Sequence, residues 1–457
     1  MEKKNKIVKD FTTGPILGPM VKFSVPFMAS NLMQVLYNLV DMYVVGRYVG
    51  AAGMSAVTIS GQIMMFFIML AIGTSTGGQV YVSQIIGAAG ENRQKNLNEA
   101  IGTFFSIECI LAFFMTLVGV FGAAKFISFI NTPIEAIEDS LSYIYINSFG
   151  LFFVFGYNMI ASVLRGMGNS KHPFLFVAIA TVLNVIFDFV LVAKYNYGVA
   201  GAAWATVFSQ GVAFLCALVF LIKNKEDFGF DFKFESWRII PYRAKGILSL
   251  SIPFALQSCI INLSMLYVNY LVNSLGIYAS ATLGVGLKLD DLVNKVAHAM
   301  QFAVSAIVGQ NYGARKMRRI ISCVRWCWAI SSVLFVSYMI LLLAIPRELF
   351  MIFTSDENVL KLANVFALGM VWQFPALAIM KGTNGFIQGI GNAKLSFIFA
   401  FFDGVILRVL LSWFLGVYLG MGLYGFFLGF ALATYGTAIP GLLYFLFVPW
   451  YKRKRVF

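Results

Sequence analysis

The sequence predicts an all-α polytopic membrane protein with twelve transmembrane helices in two six-helix lobes. Three observations lead to this class: the composition is apolar, long apolar segments follow one another, and the second half of the chain repeats the first. Of the 457 residues, 60% are hydrophobic and 12% are charged, whereas soluble domains carry about 25% charged residues. Most side chains therefore need lipid or another helix as their surroundings.

Short polar turns separate twelve apolar segments. We expect spans at 20–45, 55–82, 99–121, 138–162, 172–193, 198–222, 246–273, 281–307, 321–344, 359–386, 395–417 and 421–450. Each is long enough to cross a hydrocarbon core of ~30 Å as a helix. The apolar run after the basic start MEKKNKIVKD is too long for a secretory signal, so we expect no cleavable leader.

The net charge of +14 is read as an orientation signal rather than as a sign of nucleic-acid binding. With the N-terminus in the cytoplasm, most basic residues fall on the cytoplasmic side, among them Lys3, Lys4, Lys6 and the run 452–455. The other side keeps only five: Arg47, Lys125, Lys194, Arg347 and Lys361. This asymmetry follows the positive-inside rule and predicts a multi-pass plasma-membrane protein with both termini in the cytoplasm.

The two halves of the chain repeat each other at a nearly constant offset. The matching segments are FSVPFMASN (23–31) and LSIPFALQS (250–258), YVSQIIGAAGENRQ (81–94) and IVGQNYGARKMRR (307–319), and LRGMGNSK (164–171) and IQGIGNAK (387–394). Six spans per half is an even number, so both halves enter the membrane in the same orientation, as in transporters with parallel repeats.

This repeat divides the chain into three parts. We predict an N-terminal lobe with a cation site (1–222), a charged cytoplasmic linker (223–245) and a C-terminal lobe (246–457). Two similar bundles can rock against each other and open a central cleft to either side in turn. The organisation therefore favours a transporter over a structural scaffold.

Polar residues inside the spans are the functional candidates, because an ionisable group in the hydrocarbon core costs about 2.5–3.5 kcal/mol. In the first span, four polar residues share one helix face: Asn31, Gln34, Asn38 and Asp41. Asn184 and Asp188 are one turn apart in the fifth span, and Thr206 lies in the sixth. The directions of these spans bring Asp41, Asp188 and Thr206 to a similar depth in the outer half of the N-terminal lobe.

Three interpretations of this group stay open. Two carboxylates in one poorly solvated pocket oppose each other's ionisation, so one of them could bind and release a proton. Alternatively, their oxygens and those of Asn184 and Thr206 could coordinate Na⁺, a hard cation that prefers oxygen ligands. In the third interpretation, Asp41 and Asp188 only bond neighbouring polar groups and hold the bundle together.

Several motifs occur in a characteristic order: DMYVVGRYVG (41–50), SQIIGAAG (83–90) with GQNYGA (309–314), and LRGMGN (164–169) with QGIGN (388–392). Over nearly the whole chain they resemble the multidrug and toxic compound extrusion (MATE) family, and most of all its DinF-like prokaryotic branch. The resemblance implies an antiporter, not an enzyme, that expels organic and often cationic compounds in exchange for H⁺ or Na⁺. The family's cation site corresponds here to Asp41, Asn184, Asp188 and Thr206, and positions lining the same lobe correspond to Gln34, Tyr37 and Asn158.

The C-terminal half departs from the NorM-like branch of that family, because its seventh and tenth spans lack the expected acidic residues. Its intramembrane charges and their neighbours are Lys288, Asp290, Asp291, Lys295, His298, Lys381, Asp403 and Arg408. We predict that Asp291 pairs with Lys295 and that Lys381 pairs with Asp403, because buried charges survive best when paired. In a functional alternative, Asp291 and His298 bind substrate together with Asn38. Glu108 in the third span has no assigned role.

Two other functions are weighed as alternatives. A lipid-linked saccharide flippase of the same superfamily would have more spans and an Arg-rich cleft, whereas Asn, Gln and Asp dominate the cleft candidates here. A membrane sensor or enzyme needs a soluble module, and two histidines and five cysteines offer little for a metal centre or catalytic triad. We expect a monomer in the lipid bilayer, with a small organic cation as substrate, H⁺ or Na⁺ as coupling ion and no other cofactor.

Overall fold

The computed structural model describes residues 7–88, 90, 92–130 and 132–457. Lys3, Lys4 and Lys6, which contribute to the charge asymmetry, lie outside the described residues, as do Ala89 and Glu91 of the repeated turn motif.

Across the described residues, twelve long helices follow one another close to the predicted places. They are α1 (Leu17–Tyr48), α2 (Ala51–Gly87), α3 (Arg93–Phe129), α4 (Ile137–Gly166), α5 (Lys171–Lys194), α6 (Gly198–Lys223), α7 (Pro241–Asn273), α8 (Ile277–Gly313), α9 (Met317–Ala344), α10 (Glu357–Met370 and Gln373–Gly389), α11 (Ala393–Tyr418) and α12 (Gly422–Phe447). Shorter helical turns cover Ile134–Ala136, Lys225–Phe228, Phe234–Trp237, Pro346–Met351 and Trp450–Lys452.

The helices have the length and composition of membrane spans. In the described part of the chain, ten are long and apolar enough to cross a bilayer, and α10 makes eleven when its two parts count as one span. Helix α1 is 32 residues long, but its polar stripe lowers its hydropathy. The predicted class, an all-α polytopic membrane protein, is confirmed.

The chain forms two compact units. Unit 1 contains Val25–Ala255, and unit 2 contains Phe11–Ser24 and Leu256–Val456. In unit 1, buried side chains such as Phe67, Leu151 and Phe155 form the core between α2 and α4 and their neighbours. In unit 2, a core of the same kind contains Phe350, Phe366 and Phe427.

Helix α10 fills the span expected at 359–386, but it is bent. Its two parts meet at an angle of 53°. Pro375 lies in the first turn of the second part; it has no N–H to donate, and its ring would collide with the carbonyl four residues earlier. Pro375 therefore removes one hydrogen bond of a continuous helix at Val371, which is where the helix bends.

Small residues let the helices approach closely, as is usual where lipid gives no hydrophobic drive for helices to associate. On α12, Gly425 and Gly429 lie one turn apart against the backbone of α11. A Cβ atom would lie 2.6 Å from the Leu415 carbonyl at the first position and 2.5 Å from the Ser412 nitrogen at the second. Larger residues there would force α11 and α12 apart.

The linker between the repeats is bound along α3 within unit 1. The Asn98 amide donates to the Ser236 hydroxyl (3.1 Å), and the Ser106 hydroxyl donates to the Trp237 carbonyl oxygen (2.6 Å). At the start of α7, Arg243 forms an ion pair with Glu99 (3.2 Å). The linker is therefore an ordered part of unit 1.

Candidate functional site

Helix α1 carries the polar stripe expected from the sequence, and its members differ in burial. Asp41 is buried, with 7% of its surface exposed. Tyr37 is half-buried, whereas Gln34 and Asn38 are exposed. Asp41 is therefore the stripe residue whose side chain is enclosed in unit 1.

Helix α5 contributes Asn184 and Asp188 one turn apart, and both are buried (2% and 0% exposed). Asp188 is the last residue of the regular α-helix, because the chain continues as a π-helical turn over Phe189–Lys194. Such turns are rare and occur often at functional sites. The two side chains lie on the inner face of the helix just before it widens.

The two carboxylates belong to one cluster. Asp41 lies within electrostatic range of Asp188, and the Tyr37 hydroxyl lies within range of both. One Asp41 oxygen, both Asp188 oxygens and both amide atoms of Asn184 have no hydrogen-bond partner among the described residues. Buried polar atoms are nearly always hydrogen-bonded, so the four oxygens in this set are suited to a bound cation or proton.

Tyr143 of α4 joins the cluster and was missed in the sequence. Its side chain is buried (8% exposed), lies in range of Asp41 and Asp188, and has its hydroxyl within hydrogen-bonding reach of Thr206 on α6. Thr206 itself is half-buried. The only signal in the sequence is that Tyr143 and Asn147 are one turn apart on a polar face. This spacing is too common to identify Tyr143 as a site residue.

Asn158 lies away from this group. It is on the same helix as Tyr143 but fifteen residues further on, which is about 22 Å along the axis. Its amide donates to the Val154 carbonyl oxygen one turn earlier (2.9 Å). The structure thus gathers Asp41, Asp188, Thr206 and Tyr37 around Tyr143, with Asn184 one turn away, and leaves Asn158 outside.

The chemistry of this cluster follows from its atoms. Two carboxylates and several neutral oxygens, closed off by helices, give the cluster more acceptors than donors, although the Asn184 amide and the hydroxyl groups can also donate. They can therefore hold a proton shared between the carboxylates or a small hard cation such as Na⁺. A buried pair of carboxylates without such a cation is costly, because desolvation and mutual repulsion act together.

In unit 2, the predicted pairing of Asp291 with Lys295 is confirmed, with 3.3 Å between Lys295 Nζ and a carboxylate oxygen. The predicted pairing of Lys381 with Asp403 is wrong. Asp403 accepts from Arg408 at 2.9 Å and from the Thr437 hydroxyl at 3.2 Å, so both of its oxygens are engaged.

Three further intramembrane groups are placed by the structure. Asp290 is buried and accepts from the Tyr338 hydroxyl (2.9 Å) and the Gln373 amide (2.6 Å). His298 is exposed. Glu108 is buried in unit 1, accepts from the Thr74 hydroxyl at 3.3 Å and borders a small cavity beside Phe152 and Phe214. Asp290 and Glu108 are therefore carboxyl groups held by neutral partners.

The chain is similar to known membrane transporters. The sequence profile of the family MatE matches residues 26–190 and 253–414. Among curated proteins, the probable multidrug resistance protein YpnP of Bacillus subtilis is 27% identical over 97% of this chain and 98% of its own length. The probable multidrug resistance protein NorM of Thermotoga maritima is 25% identical, with 95% and 93% covered. A solved transporter of the MOP superfamily from Pyrococcus furiosus has the same fold, with a TM-score of 0.89, 21% identity and 97% of both chains covered.

Proposed function

Because this chain belongs to the MatE family, we propose that it is a secondary active antiporter that exports organic, amphiphilic and often cationic compounds in exchange for H⁺ or Na⁺. The curated relatives bear the name of multidrug resistance proteins, which supports an exported organic substrate. The family is one of transporters rather than enzymes, and the chain is a multi-pass membrane protein.

The observation that carries the proposal is the enclosed group of Asp41, Asn184, Asp188 and Thr206. These residues come from three helices and meet inside one unit. Five buried side-chain atoms of Asp41, Asn184 and Asp188 have no hydrogen-bond partner among the described residues. A group that only stabilised the bundle would be expected to satisfy its own hydrogen bonds. We assign it as the site of the coupling ion, H⁺ or Na⁺.

Coupling follows if the ion binds one conformation of the transporter more tightly than another. A ligand shifts a conformational equilibrium only by its differential affinity for the two states, and any effect of ion on substrate is matched by an equal effect of substrate on ion. The carboxylates supply that differential affinity if their environment changes when the transporter opens to the other side. Substrate leaves as the ion enters.

The proposed orientation places both termini and the linker in the cytoplasm of a cell bounded by a plasma membrane. It rests on the basic residues of the linker and the final segment, since positive charge accumulates on the cytoplasmic side. We propose that the monomer transports by itself, because the ion site is complete within one chain.

The test is gradient-driven export of ethidium, a fluorescent organic cation, by protein reconstituted in vesicles. A pH gradient and a Na⁺ gradient are applied separately, which also identifies the ion. In Asp41→Asn and Asp188→Asn, the shape of the site persists but the charge is lost, so uphill export should stop while ethidium still binds. Glu226→Gln, which removes an exposed carboxylate from the linker in the same unit, is the matched control and should export normally. Uphill export that survives in both site variants would overturn the assignment.

The expected signal is large. A hundredfold gradient of the coupling ion stores about 2.8 kcal/mol and, with one ion exchanged per ethidium, sustains up to roughly a hundredfold ethidium gradient. Loss of coupling reduces that ratio to one, which a vesicle assay resolves easily.

A further inference from the structure

Helix α9 of unit 2 carries two exposed arginines that no acidic residue balances. Arg318 is the second residue of the helix, and Arg325 follows seven residues later. In the described part of the chain, neither arginine lies within 4.0 Å of an acidic oxygen, and neither donates a hydrogen bond. An arginine within a membrane span normally has a partner, because a charge at that depth is costly.

The acidic residues of unit 2 lie away from this end of α9. They are found in the first half of α8, inside α11 and beyond the far end of α9: Asp290, Asp291, Asp403, Glu348, Asp356 and Glu357. Asp291 is 22 residues before the end of α8 at Gly313, which is about 33 Å along the axis. Asp403 is already paired with Arg408.

The turn before α9 adds further positive charge. Arg319 donates to the Phe11 carbonyl oxygen at 2.9 Å. The final segment of the chain folds back to the same turn, where the Tyr312 hydroxyl donates to the Arg453 carbonyl oxygen at 2.6 Å. This contact holds the basic run 452–455 beside the start of α9. Because carbonyl oxygens carry no full charge, such contacts leave the positive charge of this region uncompensated.

Both arginines belong to one continuous exposed face of α9. Seven residues make nearly two turns, so Arg318 and Arg325 point within about 20° of each other and are about 10 Å apart along the axis. The same face continues with Val333, Val336 and Ile340, which are also exposed. Exposed apolar side chains in a membrane span have lipid acyl chains as their surroundings. The face is therefore basic at one end and lipid-contacting along the rest.

The accumulation of positive charge on one side of the membrane explains Arg318 but not Arg325. Arg318 lies in the first turn of α9, next to the polar turn that precedes it. Arg325 lies about 12 Å beyond Met317 along the axis, inside the apolar segment 321–344. Its neighbour Trp326 is exposed, and tryptophan is enriched at the depth where headgroups meet acyl chains. A lipid headgroup is therefore the charged group nearest to Arg325.

We propose that Arg318 and Arg325 bind the phosphate of an anionic phospholipid whose acyl chains lie along the apolar part of the same face. A guanidinium group matches a phosphate with two parallel hydrogen bonds. The long side chain reaches the headgroup while its methylene groups stay among the acyl chains. An anionic lipid also carries a net negative charge, which the basic surroundings of the turn attract and which a zwitterionic lipid lacks.

Native mass spectrometry of the full chain, purified in detergent, measures this binding. Phosphatidylglycerol is titrated as the anionic lipid and phosphatidylcholine as the zwitterionic one, for wild type, Arg318→Gln and Arg325→Gln. The matched control is Lys361→Gln, which removes the same charge from an exposed position near the start of α10, at the other end of unit 2.

In Arg318→Gln and in Arg325→Gln, the Kd for phosphatidylglycerol should rise roughly fivefold, as expected for the loss of one basic contact. The weaker binding of phosphatidylcholine should not change, and Lys361→Gln should bind like wild type. Equal weakening in Arg325→Gln and Lys361→Gln would show a general attraction to a positive protein and would overturn the site. If Arg325→Gln does not fold, Arg318→Gln, at the exposed start of the helix, still decides between these outcomes.

A photoreactive phosphatidylglycerol with a diazirine in one acyl chain locates the bound lipid. Its cross-links should map to residues 333–340 and should be lost in Arg325→Gln but kept in Lys361→Gln. Inorganic phosphate at the same concentration should not displace the lipid, and displacement would make this a site for a free anion. A dimer that binds no phosphatidylglycerol would assign the face to a second copy of the chain and refute the lipid site. None of these measurements involves transport, so their outcome is independent of the proposed export function.

Discussion

Asp403 and Arg408 form an ion pair of 2.9 Å inside unit 2, although they lie five residues apart on one helix. In a regular α-helix, residues five apart point about 140° away from each other. Here α11 takes a π-helical turn over Phe402–Leu407, which widens the helix and brings the two side chains to the same face. Arg408 also donates to the Ser264 hydroxyl on α7 at 3.2 Å, so the pair joins two helices.

The first prediction concerns the stability of that pair. Asp403→Asn leaves the Arg408 guanidinium buried without a counter-charge, and breaking a buried pair in this way costs about 3–5 kcal/mol. Thermal unfolding of the purified protein should show a clear drop in Tm. Replacing both residues, as in Asp403→Asn with Arg408→Gln, should recover most of the loss because no charge is then left alone.

The exposed pair in the same unit is the control. The Asp291 side chain is 57% exposed, and such pairs contribute about 0–1 kcal/mol, so Asp291→Asn should leave Tm nearly unchanged. A result in which Asp403→Asn is as mild as Asp291→Asn would contradict a structural role for the inner pair.

The second prediction concerns the seating of the linker on α3. A Cβ at Gly102 would overlap the Ser236 carbonyl oxygen, so Gly102→Ala should push the linker away and lower stability by about 1–3 kcal/mol. Trypsin should then cleave several times faster after Lys233 and Arg238. Gly61→Ala on α2 meets nothing within 4 Å and should not change the cleavage rate. Equal rates in the two variants would show that the linker is not held at this contact.

The fold could be predicted from the sequence because most membrane spans are recognisable by their length and hydropathy. The same holds for residues that share one helix: Asn184 with Asp188, and Asp291 with Lys295, are one turn apart, and helix geometry fixes that relation. The bend of α10 was less visible, since Pro375 near a span centre can kink a helix or end it.

What the sequence could not supply was the rotation of one helix against another. The pairing of Lys381 with Asp403 was predicted because both are charged residues of consecutive spans and buried charges survive best when paired. The partner of Asp403 is instead Arg408. A π-helical turn brings the two side chains together, and no residue pattern predicts that turn. Tyr143 was overlooked for the same reason, because its place beside Thr206 depends on how α4 packs against α6.

The third prediction tests the proposed orientation. Glu235 lies exposed in the linker, and Ser355 lies exposed between α9 and α10. With the termini in the cytoplasm, Glu235→Cys should react with a membrane-impermeant maleimide only after the cells are opened, whereas Ser355→Cys should react in intact cells. The native cysteines are buried or half-buried, and the unsubstituted protein measures their background. The opposite pattern would invert the topology.

The last prediction concerns Tyr143, whose hydroxyl lies within hydrogen-bonding reach of Thr206 and in electrostatic range of the two carboxylates. Tyr143→Phe removes one hydroxyl and keeps the ring that fills the space between α4 and α6. A lost hydrogen bond costs about 1 kcal/mol, so the H⁺ or Na⁺ concentration that gives half-maximal export should rise roughly fivefold while the maximal rate persists.

Tyr145→Phe provides the control for that experiment. Tyr145 is on the same helix, is 38% exposed and lies two residues away, which places it on another face of the helix. Its substitution should leave the ion dependence where it is in wild type. If both variants shift the ion dependence equally, the effect belongs to α4 as a whole. If neither does, Tyr143 is a packing residue, and the ion site consists of the acidic, amide and threonine side chains without it.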